Sequence, residues 1–159
     1  MDLELNLTTE SVELASPLPP LSVAPETPIR EVFARLKGEG RGSVLVCRDG
    51  VLMGIFTERD ALRLMANSLA QGSAKLDAPV ETVMVRNPAT IEQTATVADA
   101  VERMSSGGYR RLPIIDRERR PVGVVQVSGI VHYLAEHFPK TIYNQPPKSH
   151  AVNQQREGP

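Results

Sequence analysis

The chain has 159 residues, enough for one domain of ordinary size or two very small ones. Hydrophobic residues make up 41% and charged residues 23%, a globular composition, and 18 cations against 19 anions exclude the basic surplus of a dedicated nucleic-acid binder. A single cysteine, Cys47, excludes an internal disulfide and agrees with a reducing, cytoplasmic setting.

Residues 1–18 are acidic and patternless, and read as an N-terminal extension that ends in the Pro17–Pro20 stretch. Met1-Asp2-Leu3-Glu4 lacks the positive charge of an export signal. An extended segment, Leu21-Ser22-Val23, is followed by Ile29, Val32, Phe33 and Leu36, whose spacing predicts one apolar face of a helix. Gly38-Glu39-Gly40 suits the end of that helix. A strand is predicted at Val44-Leu45-Val46, a turn at Arg48-Asp49-Gly50, and a returning strand at Leu52–Phe56; Asp-Gly between apolar runs is a strong hairpin signal. A second helix carries Ala61, Leu62 and Met65, and Leu69–Pro79 reads as a connecting loop.

The pattern then repeats. Ala89-Thr90-Ile91 matches Leu21-Ser22-Val23, and Val97, Ala100, Val101 and Met104 repeat the helical face sixty-eight residues on. Gly107-Gly108, the strand Pro113-Ile114-Ile115, the turn Arg117–Arg120, the strand Pro121–Val125 and a helix with Ile130, Val131 and Leu134 follow in the same order. Each copy reads β-α-β-β-α, an α+β unit too small to bury its own apolar faces, so the two copies are expected to pack with pseudo-two-fold symmetry. Residues 19–78 form the first copy, 79–138 the second, and 139–159 a polar, Pro-containing tail expected to be disordered. The longest uncharged stretch of the globular region, Pro121–Ala135, is too short to cross a bilayer, which predicts no membrane association.

One segment carries candidate chemistry: Gly54-Ile55-Phe56-Thr57-Glu58-Arg59-Asp60, where a strand ends and a helix opens. Thr57 and Asp60 stand three apart on the first turn. A carboxylate there can accept from both hydroxyls of a ribose, and the same pair can cap the helix by satisfying its first amides. Spacing alone leaves both readings open.

The Gly-h-h-Thr-x-x-Asp segment within a duplicated β-α-β-β-α unit resembles the cystathionine-β-synthase (CBS) domain, and two copies resemble the tandem CBS pair, or Bateman module. The likeness runs from about Pro20 to Phe138 and includes Val83-Met84-Val85-Arg86-Asn87-Pro88 and Tyr109–Asp116. It implies an adenosine-containing ligand (AMP, ADP, ATP or S-adenosylmethionine) in the cleft between the copies, acting as a regulatory ligand and not a catalytic cofactor. By the same likeness Thr57 and Asp60 would hold the ribose, Ile55 would flank the base, and Ala89 and Thr90 would complete the pocket. Arg41, Arg110 and Arg111 would face phosphates, with Pro113 shaping that wall. In the second copy Gln126 and Gly129 replace Thr57 and Asp60, so asymmetric binding of about one ligand per chain is expected. The resemblance further implies a homodimer and a regulated partner protein; a structural or protein-interaction module with a vestigial site is the alternative.

The Arg skew, 14 Arg to 4 Lys, then has a candidate use, because Arg grips phosphate with a planar fork. A biased genome would produce the same skew, and Arg110 or Arg111 could instead pair with a carboxylate between the copies. Arg117, Arg119 and Arg120 lie in a turn and read as surface. His132 and His137 lack metal-ligand spacing, Cys47 reads as a small buried hydrophobe, and Ser128 reads as a helix cap. Met53, Met65, Met84 and Met104 sit at core-like positions. Without a Walker loop, dinucleotide fingerprint or zinc signature, the chain displays no catalytic apparatus.

Overall fold

The computed structural model describes residues 7–73 and 75–137; Phe138 and the predicted tail lie outside them. Two sheets organise the chain. In the first copy β1 (Ser22–Val23), α1 (Ile29–Glu39), β2 (Ser43–Arg48), β3 (Val51–Thr57) and α2 (Glu58–Gln71) follow one another. In the second come β4 (Val85–Arg86), β5 (Ile91–Glu92), α3 (Val97–Gly107), β6 (Arg111–Ile115), β7 (Pro121–Gln126) and α4 (Val127–His137). β1 runs parallel to β2 and β5 to β6, while β2–β3 and β6–β7 are antiparallel hairpins. The duplicated β-α-β-β-α order is therefore the architecture of the molecule.

The turn chemistry works as its residues suggest. Asp49 and Gly50 both take positive φ, 54° and 82°, the geometry that lets a two-residue turn follow the strands' right-handed twist. Gly40 and Gly108 close α1 and α3 in the left-handed conformation.

The leader of each copy belongs to the core of the other. Val12 and Ala15, both 0% exposed, pack among Val97, Ala100, Leu112, Val125 and Tyr133 of the second copy. Val80 and Met84 pack with Val32, Val44 and Phe56 of the first. Matching backbone bonds tie both down: Val12 N–H donates to Ala95 O at 2.9 Å and Val80 N–H to Thr27 O at 2.8 Å. Val97 N–H donates to Glu10 O and Ile29 N–H to Ala78 O. Each leader then adds to the facing sheet, since β4 pairs with β3 and Leu18 bridges to Val124. Thus residues 10–18 are not a patternless extension. They form a 3-10 turn, Val12–Leu14, and an edge contact that complete the second copy. Tyr133 OH donates to Glu10 Oε2 at 2.6 Å, and burial beside that carboxylate pushes the phenol up to about 12.

Between the sheets lies an apolar seam of Leu45, Leu52 and Ile55 against Ile115 and Val124. Cys47 flanks it only half-buried, with its Sγ 3.7 Å from Ser22 Oγ; its place at the strand end, beyond the bulge at Val46, leaves one side open. Ser128 is not a cap: it lies within the first turn of α4, and its Oγ donates to Gln126 Oε1 at 3.4 Å. His132 is exposed, and among the described residues no three His, Cys, Asp or Glu side chains group as a metal site.

The exchange of leaders has a measurable cost when broken. Val12→Ala and Val80→Ala should each lower unfolding free energy by about 2 kcal/mol through lost burial and cavity formation. Leu69→Ala, at a side chain 86% exposed, should cost almost nothing. Urea denaturation of the three variants measures all of these.

Candidate functional site

Thr57 is the last residue of β3 and the N-cap of α2, with extended φ and ψ of −119° and 170°. Its Oγ1 accepts from Asp60 N–H at 3.4 Å, and Asp60 Oδ2 accepts from Thr57 N–H at 2.9 Å and from the Thr57 hydroxyl at 3.1 Å. The capping reading therefore holds in full. A reciprocal box of the same kind, Thr96 with Asp99, opens α3, where no ligand role was expected. Capping does not separate the two readings of Thr57 and Asp60. Their surroundings do.

Gly42 sits directly beneath this helix start, and its carbonyl accepts from Glu58 N–H at 3.0 Å. From the second copy, Arg111 reaches across and donates through Nη1 to the same carbonyl at 2.8 Å. A Cβ on Gly42 would lie 2.4 Å from Glu58 Oε1 and 3.4 Å from Nη1 and Nη2 of Arg111, so the absence of a side chain there makes the approach possible. Burial holds the Arg111 guanidinium below its ordinary pKa, opposed by the nearby Glu58 carboxylate and reinforced by Arg110. A guanidinium carries five N–H donors, and one of them goes to Gly42.

Arg41, next to Gly42 in the chain, donates through Nη2 to Pro19 O at 2.8 Å, and Arg110 is exposed, its side chain making no hydrogen bond among the described residues. Among the described residues, no carboxylate oxygen lies within 4.0 Å of the guanidinium nitrogens of Arg41, Arg110 or Arg111, whereas Arg30 and Arg48 are both so paired. Close ion pairing between the copies thus does not account for these three cations. Gly42 holds hydrogen bonds from both copies, from Glu58 N–H beside Thr57 and from Arg111 across the cleft. Neither Gly42 nor Glu58 was singled out from sequence. The only available signal was a glycine one residue before a strand and an acid between Thr57 and Asp60.

Other expected site residues stand apart. Ile55 is 7% exposed and contributes its side chain to the apolar seam. Gly54 is tight against the leader of the second copy, since a Cβ there would meet Val85 O at 2.9 Å. Pro113 is buried in β6 opposite Val124. Ala89 packs against the second core, and Thr90 lines an open groove of about 730 Å³ with Asp99, Glu102, Arg103 and Arg119. Thr57 and Asp60 do not line that groove.

Comparison with known proteins agrees with this architecture. The CBS domain model matches residues 12–67 and 80–136. A CBS-domain-containing protein of Agrobacterium tumefaciens, ATU1752, shares 30% identity at a TM-score of 0.62, covering 72% of this chain and 83% of that one. The CBS domain protein PAE2072 of Pyrobaculum aerophilum, solved in complex with AMP, shares 25% identity at a TM-score of 0.65, with 80% and 98% covered. The CBS domain pair of protein MJ0100, solved with 5′-methylthioadenosine and S-adenosyl-L-methionine, shares 25% at 0.66, with 81% and 98% covered. The chain spans 66%, 19% and 50% of the length of three curated relatives that it matches.

Because Asp60 closes a capping box, its removal has a ligand-independent effect. Asp60→Ala and Thr96→Ala should each cost about 1 kcal/mol of stability in ligand-free protein, measured by urea denaturation. Asp60→Asn, which keeps an acceptor for Thr57 N–H, should cost less.

Proposed function

The chain belongs to the CBS domain family as a tandem pair, and on that premise we propose that it is a regulatory module binding an adenosine-containing ligand between its two copies. The observation that carries this reading is Arg111: a half-buried cation from the second copy, without a carboxylate within 4.0 Å among the described residues, stands at the foot of the helix that bears Thr57 and Asp60. Ribose hydroxyls would replace the internal Thr57–Asp60 contact, and the forked donors of Arg111, with Arg41 and Arg110 nearby, would take phosphate oxygens. Ile55 would floor the base, beside Pro113, with Ala89 and Thr90 closing the far side. The AMP and S-adenosyl-L-methionine complexes of PAE2072 and MJ0100 support that ligand class.

A ligand held by both copies favours one relative orientation of them over another. It can shift that balance only by its difference in affinity for the two states. The output passes to a regulated partner protein in the cytoplasm. Homodimerisation would present the copies in register. Leu62, 70% exposed on α2, and its repeat counterpart Val131, 56% exposed on α4, supply apolar faces for it. A second reading, an interaction module with a vestigial site, is favoured by the complete Thr57–Asp60 box, which leaves neither side chain unsatisfied without a ligand.

Thermal denaturation with AMP, ADP, ATP, S-adenosylmethionine and NAD separates the two readings. A true ligand at 100 times its Kd should add roughly 2.7 kcal/mol. The gain should vanish in Asp60→Asn, and Arg111→Met should weaken phosphate-bearing ligands most. No shift with any of the five would leave the interaction-module reading. Light scattering on a sizing column should give a dimer that Leu62→Glu with Val131→Glu converts to monomer; a wild-type monomer would refute the dimer.

A further inference from the structure

Position 129 is the repeat counterpart of position 60, and no side chain fits there. A Cβ on Gly129 would lie 2.4 Å from Ala15 O and 3.2 Å from Ser16 O. Those are backbone atoms, and they are held. Ala15 N–H donates to Val12 O at 3.1 Å, and Leu18 and Val124 exchange two backbone bonds of 2.9 Å. Pro17 follows the same surface, its Cβ 3.4 Å from where a Cβ on Gly123 would stand.

The first copy meets the corresponding ground differently. There Val83 takes the place of Ala15, as the bonds Val83 N–H to Val80 O and Ala15 N–H to Val12 O show. Val85, paired with Ile55, takes the place of Leu18, paired with Val124. Three steps separate Ala15 from Leu18, but only two separate Val83 from Val85. The additional residue is absorbed at exposed Ser16, whose φ of 50° lies in the left-handed region that non-glycine residues seldom occupy. Its detour accompanies the Ala15 and Ser16 carbonyls pressed onto the start of α4.

We infer that residues 15–17 close the second cleft, so that the module is single-sited by construction and Gly129 is the matched counterpart of a leader one residue longer. The missing carboxylate is a packing requirement: no acid can be placed at 129 while Ser16 is present. The inference rests on the ligand site proposed at Thr57 and Asp60, but its packing half stands without any ligand.

Two measurements on the full chain test it. In ligand-free protein, Gly129→Ala should lower the melting temperature by about 5 to 10 °C, and deleting Ser16 in that variant should restore at least half of the loss. Should Gly129→Ala alone fail to fold, recovery of folded protein on deleting Ser16 is the same result. A neutral Gly129→Ala, or no recovery, overturns the inference. Calorimetric titration with AMP should give one site per chain in wild type and none in Asp60→Asn. Two sites in wild type, one surviving in Asp60→Asn, would overturn the closure while leaving the first site standing. No AMP binding in wild type would overturn the nucleotide reading instead, and the Gly129 and Ser16 variants would still decide the closure.

Discussion

Val12 and Val80 are fully buried, and each precedes one copy but fills the core of the other. That reciprocal exchange is the constraint on which the structure depends. A two-helix unit with a three-stranded sheet exposes too much apolar surface to stand alone. Here each unit takes a buried valine and an edge contact from its neighbour's leader. The seam of Leu45, Leu52, Ile55, Ile115 and Val124 then closes the two sheets on one another. Paired exchange also limits sliding of one copy past the other, because the leaders are anchored at Ala95 and Thr27.

The candidate site inherits this geometry. Gly42 can take hydrogen bonds from Glu58 of its own copy and Arg111 of the other only because the copies are held in that register. The same machinery makes the two clefts unequal. One leader runs from Val83 to Val85 by the short path and leaves room for Asp60. The other detours through Ser16 and leaves room for a glycine. Sequence duplication has therefore not produced identical packing, and the difference lies in one residue of chain length as much as in the identity of residue 129.

Local signals made most of the fold legible. The apolar spacing of Ile29, Val32 and Leu36 and of Val97, Ala100 and Met104 marks helices whose buried faces are those residues. Gly40, Gly108 and Asp49-Gly50 act through backbone preferences that need no tertiary partner. The leader was illegible for the opposite reason. Val12 and Ala15 are too few to set up a period, and their burial depends on residues more than eighty positions away. Thr57 and Asp60 could be found from spacing, yet spacing could not distinguish a cap from a ligand contact, since Thr96 and Asp99 build the same box. Gly42 and Glu58 were missed because their importance lies in what Arg111 reaches. Cys47 and Ser128 differ from expectation through placement: one sits at an open strand end, the other one step inside its helix.

Exchanged leaders also set an order of events during synthesis. A ribosome completes α2 at Gln71 before it has made Val80, Met84 or β4, so the first copy emerges with its sheet edge and part of its core uncovered. The first leader emerges before α1, yet its docking ground on α3 and β7 is made only in the last third of the described chain. The first copy can close its core once β4 is made, but its seam residues Leu45, Leu52 and Ile55 wait for Ile115 and Val124. Until the second half appears, the nascent chain exposes an apolar face that a chaperone or another nascent copy can occupy.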